Sequence, residues 1–347
     1  MSSAFRELLK RVGSGTHTSK NLTRSESALA TEMMLLQTAT PAQIGAFTIS
    51  HRIKRPTPEE LAGILDGFDR LGNKLEVCAK HPHLPVVLGN PYDGRSRTVP
   101  VSVITALILA TAIPVVMHGG NRSPTKYGIP LVEIWRGLGV DFSRLDLAQA
   151  QNFYRQTKLG FIYLPQHFIA AHRFMTFRAE IGKRPPFATA ELVWNPVKGE
   201  VNLVAGFVHP PTEERFRETF KIIGRTNFTL VKGLEGSCDL SCNRTGIIAL
   251  GQPEGSFERL LLDPKQYING SDVAFESDER AIALIIDVIR GKNNSLLPAA
   301  ILNGGFYLWR FNLASSLDAG MALAEQMLLG KQAADKLSQL QTAIAEL

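Results

Sequence analysis

Two glycine-containing polar loops carry the residue types that hold anions: Gly89-Asn90-Pro91-Tyr92-Asp93-Gly94 and His118-Gly119-Gly120-Asn121-Arg122-Ser123. Short apolar runs, Val86–Leu88 and Ile113–Met117, precede them. Between the two, Val101–Thr111 is apolar nearly all round, the pattern of a buried helix or strand–helix segment. Thr98 is positioned to cap that segment, and Pro100 suits a first helical turn. If both runs are parallel strands, a right-handed crossover brings the loops to one edge of the sheet. Open α/β folds bind ligands at that edge. Glycines there let backbone N–H groups approach an anion, and Arg95, Arg97, Arg122 and Lys126 add positive charge. These residues describe either an anion site or two ordinary loops at a sheet edge.

The surrounding sequence divides in two. Residues 1–80 read as helical. Phe5–Val12 is amphipathic and Gly13–Asn21 small and polar, so residues 1–21 are expected to be a flexible basic extension. Thr23 with Glu26 forms a capping-box pattern. Thr40-Pro41 and Thr57-Pro58 each combine a cap with a proline, as helix starts do. A helical domain over 22–84, with a contribution from about 170–190, follows from this reading. Lys80–Pro85 is a rigid linker with His81 and His83 exposed in it. From 85 to 347 strands and helices alternate. Helices are expected at Leu131–Trp135, Leu145–Thr157, Ala170–Ile181, Pro211–Ile223, Ala281–Ile289 and, as one long tail, Phe306–Leu340. Strands are expected at Gly160–Pro165, within Val201–Val208 and at Phe228–Val231, with a strand pair from Asp239–Asn243 and Gly246–Ala249. The fold class is α/β: a small N-terminal all-helical domain plus a larger α/β domain with a mainly parallel central sheet flanked by helices.

Composition excludes several classes. With 347 residues, 44% hydrophobic and 20% charged, the chain is long enough to bury a substantial core. Three cysteines make no disulfide framework and suit a reducing compartment, the cytoplasm. Cys238 and Cys242 have no second Cys/His pair at zinc spacing. The N-terminus lacks the continuous apolar core of a signal peptide. Val99–Met117 is interrupted by Pro100, Thr105 and Pro114 and reads as buried core rather than a membrane span. The net charge of +6 permits anionic partners, nucleic acid among them. Residues 1–24 hold five basic side chains against Glu7, so the rest of the chain carries only +2. No basic stripe with interleaved aromatics is present.

Several segments, in order, resemble the anthranilate phosphoribosyltransferase family, which shares its fold with pyrimidine nucleoside phosphorylases. They are LTRSESALATEMM, ATPAQIGAFTISHRIKRPTPEELAGI, HGGNRS, FRAEIGKRPPF, Asn195-Pro196 and the closing helices. The resemblance implies a cleft between the two domains and displacement of pyrophosphate from phosphoribosyl pyrophosphate by an aromatic amine, assisted by Mg2+. It implies acceptor binding by His118, Asn121 and Arg178. Phosphoribosyl or other anion binding would fall to Gly89, Asp93, Gly94, Arg95, Arg97, Ser102, Gly119, Gly120, Arg122 and Ser123, with Asp239 toward the metal. It also implies a homodimer formed through the helical domain, by way of Leu35, Ile44, Phe47 and Ile49.

The donor side departs from the pattern. Pro91 removes a backbone donor, and Tyr92 fills space that a glycine leaves in the family. Met117 stands for a lysine, Val99 and Val101 for polar residues, and Cys238-Asp239 for an Asp-Glu pair. Losing one such electrostatic element costs about 10²–10³ in rate. Two readings stand: a phosphoribosyltransferase with Arg95, Arg97 and Arg122 replacing lost contacts, or a non-catalytic relative that binds nucleic acid or another anionic ligand.

Overall fold

Three threonines start the helices of the bundle in the same way. In the computed structural model, which describes residues 3–15, 17–77, 81–252 and 255–347, α1 spans Ser3–Val12, α2 Arg24–Leu35, α3 Pro41–Lys54 and α4 Pro58–Leu71. Thr23, Thr40 and Thr57 accept from the backbone N–H three residues on. Glu26, Gln43 and Glu60 accept in return from the threonine N–H groups. Each reciprocal cap satisfies two orphan donors and contributes about 1 kcal/mol. Glu60 also accepts from the Leu22 N–H and Lys54 Nζ, both at 2.9 Å. Burial opposes its ionisation, but His51 and the donors around it prevail and bring its pKa to about 2.

Residues 3–12 are not part of a flexible extension, which corrects the reading of 1–21. Phe5, Leu8 and Val12 are buried on one face of α1, and the Phe5 ring lies 5.3 Å from that of Phe47 on α3. An apolar stripe of that spacing is stable only when covered. The following segment folds back, with the Lys20 N–H donating to Arg11 O at 2.7 Å and Arg11 to Asn21 O at 2.8 Å. Leu35, Ile44 and Phe47 are likewise buried within their own bundle. They therefore supply core rather than a surface for a second copy. Lys80, the first residue of the expected linker, lies outside the described residues; in the rest of it, His81 Nε2 pairs with Ala112 O at 3.1 Å.

The remaining elements are β1 Val86–Leu88, α5 Ser102–Ala110, β2 Val115–Gly119, α6 Leu131–Gly137, α7 Leu147–Thr157, β3 Leu159–Tyr163, α8 Leu164–His167, α9 Ile169–Ile181 and α10 Phe187–Ala190. They continue with β4 Asn202–Gly206, α11 Pro210–Ile222, β5 Phe228–Val231, β6 Gly246–Gly251, β7 Phe257–Leu262, α12 Asp278–Ile289, α13 Leu297–Arg310, α14 Leu317–Leu329 and α15 Gln332–Ala345. The sheet runs β3-β2-β1-β4-β5-β6-β7. Its first five strands are parallel, and β6 and β7 are antiparallel. Val86 pairs with Val115, so the loops after β1 and β2 do leave the sheet at the same edge. The parallel strands are buried on both faces, which explains their unbroken apolar runs.

Three local expectations fail for physical reasons. Thr98 does not cap α5; the N-cap is Val101 without a side-chain bond, and Thr98 Oγ1 instead accepts from Arg95. Asp239–Asn243 forms no strand; its Asp239 and Ser241 side chains instead bond the distant Val101 N–H and Asp272 carboxylate. The partner of β6 is β7. The tail is three helices rather than one, broken where Asn312 and Lys331 adopt positive φ of 59° and 65°.

Helix α9 packs back on α2 and α3, and α11 packs on α4. Thr219 on α11 donates to Pro58 O at 3.3 Å, and Arg24 reaches Ile222 O at 3.4 Å. These contacts hold the bundle beside the C-terminal ends of β1, β4 and β5, with a cleft between.

Candidate ligand-binding cleft

The loops that follow β1, β4 and β5, the segment between α9 and α10 and the turn between α3 and α4 enclose a cavity of about 1040 Å³. Eight basic side chains line it (Arg52, Arg55, Arg97, Lys126, Arg178, Arg184, Arg215 and Arg244) against Asp93, Glu191 and Glu235. That excess of five matches most of the chain's +6. Among the N-terminal basic residues, by contrast, Lys10 pairs with Glu7, Arg11 with Glu26 and Arg24 with Asp66. A cluster of unpaired positive charge therefore lines the cleft.

The floor of the cleft is an internal ion network. Arg178, on α9 and 1% exposed, approaches Glu191 at 3.2 Å and Asp93 at 3.5 Å. Arg184 donates through Nε to Asp93 at 2.6 Å. Burial, countered in part by Arg178, pushes the Glu191 carboxyl pKa up. Internal carboxylates thus occupy the guanidinium that the resemblance assigns to an acceptor's carboxylate. A second network lies beside it. Arg95 bridges Glu235 at 3.1 Å and Asp239 at 2.8 Å, and Lys126 reaches Glu235 at 3.1 Å. Burial works against the Glu235 charge, yet Lys126 and Arg95 bring its pKa to about 2.

The HGGNRS loop does not face this floor. His118 is 1% exposed and shares a 2.6 Å hydrogen bond between its Nδ1 and the Tyr92 hydroxyl, with its ring edge-on to Trp194. Burial lowers its pKa to about 3, so it is neutral. Tyr92 is the wall between the large cleft and a second cavity of about 50 Å³, lined by Gly120, Asn121, Arg122 and Ser123 together with His172 and Met175. Asn121 accepts from the Tyr163 hydroxyl at 2.6 Å. Arg122 turns to Asp278 and to Tyr127 O, and Ser123 Oγ donates to Tyr92 O at 2.9 Å.

The glycines serve packing. A Cβ on Gly89 would lie 2.1 Å from Leu192 O, and Gly94 has φ +72° against Gly128. Gly119 ends β2. Ser102 is fully buried at the start of α5, and its hydroxyl finds no hydrogen-bond partner among the described residues. Of the residues singled out by sequence, the large cleft therefore gathers Asp93, Arg97, Lys126 and Arg178. Arg95, Ser102, His118, Asn121, Arg122, Ser123 and Asp239 do not line it.

Apart from Arg97, the rim was missed. Arg52, Arg55, Arg97, Arg215 and Arg244 line the cleft, and none makes an ion pair within 4 Å among the described residues. Burial and the neighbouring Arg55 lower the Arg215 pKa, with Glu214 opposing in part, as expected of cations held close together. The run His51-Arg52-Ile53-Lys54-Arg55 at the end of α3 was the available signal.

Asp239 does not suit a metal. It is 1% exposed and engaged by Arg95 and by the Val101 N–H at 3.0 Å. Its neighbour Cys238 is a buried thiol whose pKa burial raises. Among the described residues no cluster of three His, Cys, Asp or Glu side chains could hold a metal ion, and no helix is long and apolar enough to cross a membrane.

A helical bundle followed by a mixed sheet with its cleft between them defines a class. The glycosyl transferase family model for the helical bundle domain matches residues 6–72, and that for the a/b domain matches 93–334. The chain belongs to this family. Its relatives include the anthranilate phosphoribosyltransferase of Alkalilimnicola ehrlichii, 27% identical over 323 residues, covering 91% of this chain and 93% of the relative. That of Rhodopseudomonas palustris is 26% identical over 341 residues, covering 97% of each. Among solved structures, the anthranilate phosphoribosyltransferase of Saccharomyces cerevisiae in complex with PRPP and Mg has a TM-score of 0.84 at 14% identity, over 100% of this chain and 99% of that one. The structure of the Thermus thermophilus enzyme has a TM-score of 0.79 at 18% identity, over 99% of this chain and 100% of that one. At such identities the structures show the fold.

Proposed function

We propose that this chain is a non-catalytic member of the family that binds the sugar–phosphate backbone of single-stranded nucleic acid in its cleft. The observation that carries the reading is the set of five arginines, Arg52, Arg55, Arg97, Arg215 and Arg244, lining one cavity without counter-ions. Guanidinium forks bind phosphate oxygens bidentately, and their separation around a large cavity suits several spaced phosphates better than one compact pyrophosphate. Prolines support the same reading. Pro56, Pro91, Pro185, Pro186, Pro210 and Pro211 line the cleft, and none offers a backbone N–H, so side chains must do the recognising. The cleft aromatics Tyr92 and Phe207 are buried, so His209 is the exposed ring in the cleft lining.

The second reading is phosphoribosyl transfer to an aromatic amine with Mg2+, which the relatives' activity favours. Against it stand Tyr92 between the two cavities and Arg178 closed by internal carboxylates. A fluorescence-anisotropy titration with a labelled oligonucleotide, run beside a product assay with phosphoribosyl pyrophosphate, Mg2+ and anthranilate, separates the two. Saturable oligonucleotide binding with no product is expected. Product formation without oligonucleotide binding would reject the proposal.

A further inference from the structure

The magnesium that accompanies this family's chemistry is expected to meet carboxylates beside the cleft, and in this chain those carboxylates already share a cation. Arg95 is 3% exposed. It donates through Nε to Glu235 at 3.1 Å, through Nη1 to Asp239 and to Ser237 Oγ, each at 2.8 Å, and through Nη2 to Thr98 Oγ1. Glu235 and Asp239 lie four residues apart, after β5, and face the same guanidinium. Further donors converge on both: the Asp239 oxygen that Arg95 engages, Oδ2, also takes a backbone donor. Glu235 accepts from the backbone N–H groups of Ser96, Arg97 and Thr98 at 3.0–3.2 Å and from Lys126, and Asp239 accepts from the Val101 N–H. A divalent ion entering here would have to displace a buried, multiply bonded guanidinium and would meet it as a like charge.

We infer that Arg95 stands in for a divalent cation: it neutralises Glu235 and Asp239 permanently and fixes the loop after β5 to the loop after β1, so the cleft binds anions without metal. A metal ion and a guanidinium answer the same need, because two carboxylates buried side by side require an adjacent positive charge. They differ in consequence. A bound Mg2+ keeps open positions for phosphate oxygens, whereas Arg95 uses its donors on protein groups and presents none to the cleft. The positive charge available to a ligand is thereby shifted to the rim arginines.

The test uses Mn2+ as a paramagnetic probe with the full chain. Wild-type protein is expected to show no Mn2+ site in an electron paramagnetic resonance titration. Arg95→Ala, which leaves Glu235 and Asp239 without the guanidinium they share, is expected to gain one Mn2+ per chain and to have its melting temperature raised by Mn2+. Arg95→Lys restores a cation and is expected to gain none. Adding Asp239→Asn to Arg95→Ala is expected to remove the new site. A wild-type Mn2+ site that Asp239→Asn abolishes would overturn the inference, as would a folded Arg95→Ala that gains no Mn2+. Should Arg95→Ala fail to fold, the wild-type titration still decides. It is joined by the wild-type affinity for inorganic phosphate, expected to agree within twofold between Mg2+ and EDTA at matched ionic strength; a tenfold gain with Mg2+ overturns the inference. The Mn2+ measurements need no ligand in the cleft, so their outcome is separate from that of the nucleic-acid reading.

Discussion

The floor and the rim of the cleft are both rich in charge and differ in one respect, whether the charges are already spent. On the floor, Arg178 and Arg184 face Asp93 and Glu191, and Lys126 faces Glu235, which Arg95, outside the cleft lining, bridges to Asp239. On the rim, Arg52, Arg55, Arg97, Arg215 and Arg244 have no such partners. A paired, buried guanidinium stabilises an arrangement and recognises little. An unpaired one is costly to bring near its neighbours and repays that cost only when an anion arrives. In this chain, structure is kept by the floor, and recognition falls to the rim.

The comparison is broken most forcefully on the floor. Arg178→Met leaves Glu191 and Asp93 short of a cation in a buried site, and a loss of about 3–5 kcal/mol in denaturant unfolding is expected. A loss below about 1 kcal/mol would show the network to be as dispensable as a surface ion pair.

Acid should reach the buried wall between the cavities next. The folded chain keeps His118 neutral down to about pH 3, whereas the unfolded chain protonates it near 6.5. Stability is therefore lost as pH falls below about 6.5, by about 2 kcal/mol between pH 8 and pH 5. His118→Gln should flatten that part of the profile. Glu60 and Glu235, with folded pKa values of about 2 against 4.5, contribute stability that is present above 4.5 and lost as pH falls toward 2. A profile flat from pH 8 to pH 4 would contradict the burial of His118.

The smallest stability effect is expected on the rim, where the binding effect is clear. Arg55→Ala or Arg215→Ala should leave the unfolding free energy within about 0.5 kcal/mol, and relief of their mutual repulsion favours a slight gain. Each should weaken oligonucleotide binding and reduce the slope of log K against log salt by about 0.7 on a single strand. Substitutions that unfold the protein or leave the slope intact would merge the two regions.

Much of the architecture was legible. Threonine caps ahead of Glu26, Gln43 and Glu60, unbroken apolar runs for parallel strands, and the shared edge for the loops after β1 and β2 all follow from local chemistry. The site was less so. Sequence shows that Arg178 and Asp93 are charged; it does not show that they face each other across 85 residues of chain. Counting charge along the chain pointed to residues 1–24, because Glu26 and Asp66, which neutralise Arg11 and Arg24, come later in sequence. Arg97 was legible on the rim, but Arg55 and Arg215 were not, for the converse reason: they belong to different domains, and only packing of α11 on α4 brings them to one cavity. Tyr92 was readable as bulk near the donor loop, but its partnership with His118 required the fold.

The central claim is that unpaired rim arginines, rather than the floor, bind a phosphate chain. The most direct measurement is the salt dependence of wild-type binding to a single-stranded oligonucleotide. Five arginines each engaging a phosphate predict a log–log slope of about −3.5. A slope near zero, or one unchanged when all five are replaced by alanine in a protein that still folds, would contradict the account.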